Sequence, residues 1–192
     1  MLKSMGNTLA GIAIVLLLQG CAAAIVGGAA TTAVVAHDRR TTGIIVEDQS
    51  IELKAYDALA KAPDTKQSTI HVTSYNKVVL LTGQASSEAV RKEAGEIVGK
   101  VAQVRRVVNE LEIGSSASLG EDTRDLALTT EVKLRLTKVK LPDFDPLRVK
   151  VVTERGVVFL MGLLTQQEAQ AVTDEVRYIS GVRRVVKVFE YI

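Results

Sequence analysis

Val78-Val79-Leu80-Leu81-Thr82-Gly83 and Val157-Val158-Phe159-Leu160-Met161-Gly162 are two copies of one pattern. Each follows an alternating apolar run and precedes a helical stretch. Each helical stretch leads into the same tetrapeptide, Arg105-Arg106-Val107-Val108 and Arg183-Arg184-Val185-Val186. The glycines stand 79 residues apart and the arginine pairs 78, so a single-residue indel aligns the halves. That period is too long for a solenoid, which leaves one small domain used twice.

Around the first copy, Asp48 or Ser50 can N-cap a helix whose Ile51, Ala55, Ala58 and Leu59 share one face, and Pro63-Asp64 stops it. Ile70, Val72 and Ser74 alternate with His71, Thr73 and Tyr75, the pattern of a strand with one buried face. Asn76-Lys77 turns the chain back into Val78–Thr82 as a hairpin, and Gly83 is expected to end that strand. A helix follows from a Ser86 or Ser87 cap to about Lys100, with Ala89, Ala94, Ile97, Val98 and Val101 as its apolar positions. Residues 104–113 form a third strand.

The second copy repeats the order. A helix runs from Asp122 or Thr123 to Lys138, and strands over 147–153 and 157–163 join at Glu154-Arg155-Gly156. A helix over 165–179 and a strand over 182–192 complete it. The fold class is α+β: two tandem small αββαβ domains, each a three-stranded sheet with two helices on one face. The first occupies residues 48–113 and the second 122–192, with 114–121 (Gly114-Ser115-Ser116-Ala117-Ser118 within it) as a flexible linker.

The totals exclude several functions. Lys plus Arg number 24 against 22 Asp plus Glu, so no global basic field argues for nucleic acid. Trp is absent and aromatics are few, which removes stacking platforms for single strands. The two histidines, His37 and His71, stand far apart, and Gly27-Gly28 has neither a strand before it nor a helix after. Carboxylates are scattered among basic residues. No nucleophile–base pair, acid pair or metal set stands out, so the expectation is a protein that is not an enzyme, with no cofactor, no metal and no small-molecule substrate.

At the N-terminus, Lys3 precedes an apolar run over 8–18, the length of a signal-peptide core and short of the ~20 residues that span a bilayer. It ends in Leu18-Gln19-Gly20-Cys21, followed by Ala22, which resembles a bacterial lipobox. That resemblance implies a signal peptide over 1–20 and a mature Cys21 carrying a diacylglycerol on sulfur and an acyl chain on its amine. Two or more chains anchor stably where one does not. Ala22 in place of an inner-membrane-retaining Asp points to the periplasmic face of the outer membrane. Residues 21–47 then read as lipidated N-terminus and flexible tether, with His37-Asp38-Arg39-Arg40 as solvated linker.

The αββαβ order, Val79-x-Leu81-x-Gly83 and Val158-x-Leu160-x-Gly162 in the hairpins, and Val-Arg-Arg-Val-Val leading each last strand resemble the BON domain over nearly all of both copies. Resemblance to dual-BON lipoproteins implies an envelope protein of Gram-negative bacteria. It would support outer-membrane integrity, bind anionic phospholipid through its second domain and gather at division sites. The rival expectation is a module that recruits envelope or cell-wall machinery through an open strand edge.

Local charge agrees with the lipid expectation. Residues 48–113 carry nine acids and nine bases, whereas 122–192 carry ten and twelve. Lys133, Arg135, Lys138, Lys140, Arg148, Lys150 and Arg155 are concentrated in one stretch. Leu128, Val132 and Leu136 match Ile51, Ala55 and Leu59 and should face the core, which turns Leu126 and Lys133 outward with Leu134 on the flank. The expected phospholipid-binding set is therefore Leu126, Ala127, Thr130, Lys133, Leu134, Lys138 and Lys140. Ala127 stands where an interfacial aromatic would help most, so the expectation is either a weaker affinity or substitution by Phe144 in the following loop. The Arg-Arg pairs are expected to be structural, with one Arg on the sheet's open face and one pairing helix carboxylates such as Glu96 or Asp174.

The lipobox carries a direct test. Cys21→Ala should leave an uncleaved precursor that no longer fractionates with the outer membrane, and mass spectrometry of the wild type should find acyl groups on Cys21.

Overall fold

A computed structural model of the chain describes residues 37–115 and 118–192. Cys21, the signal peptide and the tether up to Ala36 lie outside the described residues. In the first domain α1 spans Thr42–Lys61, β1 Thr69–Tyr75, β2 Val78–Ala85, α2 Glu88–Gly99, β3 Arg106–Asn109 and β4 Glu112–Ile113. In the second, α3 spans Leu119–Leu136, β5 Lys150–Glu154, β6 Val157–Leu164, α4 Gln166–Val176 and β7 Arg184–Tyr191. Each sheet has its middle strand, β2 or β6, antiparallel to the strand before it and parallel to the strand after the helix. The expected third strand of the first domain is split in two, because β3 and β4 pair with successive parts of β2.

The helices pack as their periodicity requires. Ile51, Ala55 and Leu59 meet Val79, Leu81, Ala94 and Val98 in one core, and Leu128, Val132 and Leu136 meet Val158, Leu160, Val172 and Phe189 in the other. On α2 the inward position is Val90, and Ala89 is exposed. Gly83 does not end its strand, which runs on to Ala85. Its φ of +106 and the Thr69 carbonyl oxygen, 2.1 Å from where a Cβ would sit, show that it is needed for a close approach within the sheet. Gly162 is in a similar position, with the Arg148 carbonyl 2.8 Å from its absent Cβ.

The other face of each sheet is not open. Val78, Leu80 and Tyr75 of the first domain pack against Val157, Phe159, Met161 and Val188 of the second as a third core, with Phe159 only 1% exposed. Polar contacts surround it. Lys150 Nζ reaches Glu52 Oε1 (3.2 Å) and the Ser74 carbonyl (3.3 Å), and Gln84 Nε2 donates to Glu154 Oε1 (2.7 Å). The arginine pairs join this rim: Arg105 Nη2 donates to Glu190, and Arg184 Nη2 to Glu110 at 3.0 Å. Their role is structural, but the partners lie across the domain boundary. Glu96 pairs instead with Lys92, and Asp174 with Arg177.

Two boundaries move. Thr41 caps α1, its Oγ1 accepting from Ile44 N–H at 3.3 Å, so the helix starts more than a turn before Asp48. Asp48 is buried and clamps the β1–β2 turn, accepting the N–H groups of Asn76 and Lys77, both at 2.7 Å. Asp125 does the same for Arg155 and Gly156 in the second domain. All four turn residues have positive φ, the geometry of a tight hairpin turn. On α3, Ser118 caps the N-terminus and forms a reciprocal capping box with Glu121, so the helix begins within the expected linker.

His37-Asp38-Arg39-Arg40 is not a solvated linker. Arg40 binds Asp38 and Asp48 and lies 3.7 Å over the Tyr75 ring. Burial, followed by the Asp38 charge, pushes the Tyr75 phenol up to about 12. Arg39 crosses to the second domain, donating to the Leu163 carbonyl (2.9 Å) and through both terminal nitrogens to Glu168 (2.7 and 2.9 Å). Residues Asp38–Ile192 thus form one compact unit that contains all three cores.

Burial opposes ionisation of Glu168, yet hydrogen bonds from Arg39 and the Thr165 N–H outweigh it and hold the carboxyl at about 2 instead of 4.5. The unfolded chain takes up this proton first, so the stability Glu168 contributes is present above about pH 4.5 and lost as pH falls toward 2. Thermal melts of 38–192 across that window should show the loss. Arg39→Ala should lower the melting temperature at pH 7 and flatten the acid dependence.

Candidate functional site

Outside its core-facing residues, α3 presents a continuous stripe to solvent. Leu119, Thr123, Leu126, Thr130, Lys133, Leu134 and Thr137 recur at helical spacing and are all exposed, Leu126 at 69% and Leu134 at 56%. Three threonines alternate with the leucines at intervals of one heptad. Each hydroxyl is already bonded to its own helix: Thr123 to the Leu119 carbonyl (2.8 Å), Thr130 to Leu126 (3.0 Å) and Thr137 to Leu134 (2.7 Å). A hydroxyl satisfied in this way loses little on leaving water, so the stripe is less polar than its composition suggests.

Ion pairing sorts the seven basic residues of the stretch. Arg135 pairs with Glu131, Arg148 with Glu168, Lys150 with Glu52 and Arg155 with Glu121. Among the described residues no carboxylate pairs with Lys133, Lys138 or Lys140, and all three are exposed. These are the three lysines of the expected set. Lys138 and Lys140 follow the C-terminal end of α3, where the helix dipole also favours positive charge.

Of the seven expected residues, Leu126, Thr130, Lys133 and Leu134 share the stripe and the two lysines continue from its end. Ala127 is exposed but borders a cleft between α3, the β5–β6 turn and the α4–β7 loop. Phe144 does not substitute for an interfacial aromatic: it packs against the core of the second domain, while Leu147 in the same loop is exposed. Leu119 extends the stripe by two turns. It was missed because the helix was expected to start at Asp122, and the Ser118-x-x-Glu121 capping box was the available signal. Among the described residues no helix is long and apolar enough to cross a membrane.

The first domain shows what the stripe is not. By the alignment of Asp48 with Asp125, α1 carries Gln49, Tyr56 and Asp57 where α3 has Leu126, Lys133 and Leu134. Asp57 pairs with Lys61, and the Tyr56 hydroxyl accepts from Val72 N–H at 2.9 Å. On α1 exposed Leu53 also stands beside exposed Lys54, but the run of outward leucines, self-bonded threonines and three unpaired lysines is found in the second domain.

Comparison with known proteins places this architecture. The BON domain matches residues 47–115 and 124–192. The chain belongs to the BON-domain family. It is 39% identical over 185 residues to the outer membrane lipoprotein DolP of Haemophilus influenzae, covering 94% of this chain and 93% of that one. It is 33% identical over 159 residues to the 21 kDa hemolysin of Actinobacillus pleuropneumoniae, covering 81% and 79%. Identity to the osmotically-inducible protein Y of Escherichia coli is 31% over 147 residues, covering 74% and 72%. The chain is therefore a DolP-like dual-BON lipoprotein, lipid-anchored at the outer membrane. None of the three relatives is named for a catalysed reaction.

Proposed function

We propose that this BON lipoprotein is a non-enzymatic membrane-contact protein whose second domain lays the outward stripe of α3 on an anionic phospholipid surface. In this reading it supports outer-membrane integrity and acts at division sites, as its resemblance to dual-BON lipoproteins leads one to expect. The observation that carries the reading is the coincidence on one helix face of exposed Leu119, Leu126 and Leu134, self-satisfied threonines and the unpaired Lys133.

Magnitudes agree with a weak contact. Three lysines supply about 3 kcal/mol at low salt. Two partly inserted leucines supply about 1–2 kcal/mol each, short of full burial. Before immobilisation costs, that sum corresponds to roughly sub-millimolar to ten-micromolar affinity. A lipid on Cys21 raises the effective concentration, so such an intrinsic affinity suffices. The lysine share fades within a Debye length, about 8 Å at physiological ionic strength.

Flotation of the 38–192 fragment with vesicles of varied anionic content tests this. Wild type should float with anionic and not with zwitterionic vesicles, and salt should release it. Leu126→Glu combined with Lys133→Glu should abolish flotation without changing the melting temperature. Wild type that ignores anionic vesicles at low salt would remove the lipid assignment and leave protein recruitment as the function.

A further inference from the structure

The two domains share a skeleton, and the cleft beside α3 is a place where their side chains differ. In the first domain the corresponding space is closed. Lys77, in the β1–β2 turn, extends Nζ to Gln103 Oε1 (2.9 Å) and Glu47 (3.4 Å), tying turn, loop and helix together. Two contacts and a backbone conformation fix the register with the second domain. Asp48 and Asp125 clamp equivalent turns. Arg105 and Arg183 each donate to the carbonyl of the first turn residue, Asn76 or Arg155. Gln103 and Gly181, two residues before those arginines, both have positive φ, 72° and 93°.

In that register Glu47, Lys77 and Gln103 are replaced by Arg124, Gly156 and Gly181. Two of the three closing side chains are absent and the third has changed sign. What remains is a cleft of about 570 Å³, within the range of ~300–1,000 Å³ usual for small-molecule sites. Ala127 and Leu128 line its apolar part, with Leu128 Cδ1 3.9 Å from where a Gly181 side chain would begin.

The charges lining it are three arginines, Arg124, Arg155 and Arg183, and three acids, but the acids are occupied. Asp125 accepts two turn N–H groups, Glu131 pairs with Arg135 at 3.2 Å, and Glu121 accepts the Ser118 N–H at 2.8 Å in the capping box. The arginines keep donors in reserve. Arg155 donates Nη2 to the Ser115 carbonyl (2.8 Å) and pairs with Glu121 at 3.5 Å through Nε, which is buried and makes no hydrogen bond. Arg183 commits Nη1 to the Arg155 carbonyl (3.0 Å), and Arg124 is exposed. Planar guanidinium groups with free donors beside an apolar wall suit a phosphate or carboxylate attached to hydrocarbon.

We propose that this cleft binds a single organic anion, a phosphate or carboxylate group on a short apolar chain, with Arg124, Arg155 and Arg183 receiving the anion and Ala127 and Leu128 the chain. The site lies beside the solvent-facing stripe of α3, not on it, and does not depend on the bilayer reading. The ligand is held as a ligand, with no chemistry performed on it. Its source is either a lipid that offers its headgroup from the membrane or a soluble amphiphile.

Amide NMR titration of the 38–192 fragment with hexyl phosphate, inorganic phosphate and hexyltrimethylammonium tests the site. Hexyl phosphate should shift the amides of Gly156 and Gly181, inorganic phosphate should bind more weakly at the same amides, and the cation should leave them unchanged. Arg124→Glu with Gly181→Gln restores two of the first domain's closing residues, and a glutamine already occupies this backbone geometry at Gln103. That variant should weaken hexyl phosphate by about tenfold or more, the loss expected for one charge-assisted hydrogen bond. Arg124→Ala, a change at an exposed residue, should weaken it in the same direction and guards against misfolding of the double variant. Equal binding of inorganic and hexyl phosphate would overturn the proposal, as would unchanged affinity in both variants or shifts confined to Leu126–Lys133. Vesicle flotation then identifies the source. If the closed variant floats less than wild type, the ligand comes from the bilayer; if it floats equally while losing hexyl phosphate, the ligand is soluble. Flotation lost only in the Leu126→Glu, Lys133→Glu variant bears on the stripe alone.

Discussion

The central strands β2 and β6 cannot be solvated on either face. Residues 78–81 and 157–161 are apolar without alternation, so every second side chain faces the helices and the others need a different cover. Each domain supplies that cover to the other. Phe159, Met161, Leu80 and Val78 fill the space between the sheets, and this packing determines what remains outside: helices, strand edges and loop ends. A sheet face is therefore not available for docking a partner. The surfaces left to recognise anything lie on the helices, strand edges and loop ends.

Around that constraint the duplicated skeleton is conservative in its joints and divergent on its exterior. The aspartate that clamps the hairpin turn and the arginine that holds the turn carbonyl occur in both copies with the same partners. Side chains that point away from these joints differ: Asp57 against Leu134, Gln103 against Gly181. Contacts that hold each domain together are thus shared, and those that distinguish one domain's surface from the other's are not.

Much of this was legible in the sequence. Helix faces, the αββαβ order and the outward direction of Leu126 and Lys133 follow from period, because one side of each helix has a single apolar register. The sheet-to-sheet core was also legible: an unbroken apolar run signals two covered faces, whereas the expected domain covers only one face of its sheet with helices. Other features had no local signal. Arg39 and Arg40 look like a charged linker because their partners, Glu168 and Asp48, are supplied by tertiary structure. Asp48 looks like a cap because Asp favours caps, while its true acceptor role depends on a turn 28 residues away. The cleft is invisible to any single-copy reading, since it consists of side chains that one copy has and the other lacks.

The interface between the sheets also sets the electrostatics of the second domain's surface. Lys150 would add a further unpaired positive charge to the second domain if Glu52 and the Ser74 carbonyl of the first did not hold it. Arg184 is likewise held by Glu110. Separated from its neighbour, the second domain would expose Phe159 and Met161 together with these released cations. That apolar and cationic face is one that the intact protein buries. The small set of unpaired lysines and outward leucines on which the proposed contact rests is a property of the paired domains. The first domain contributes to it by what it covers and neutralises.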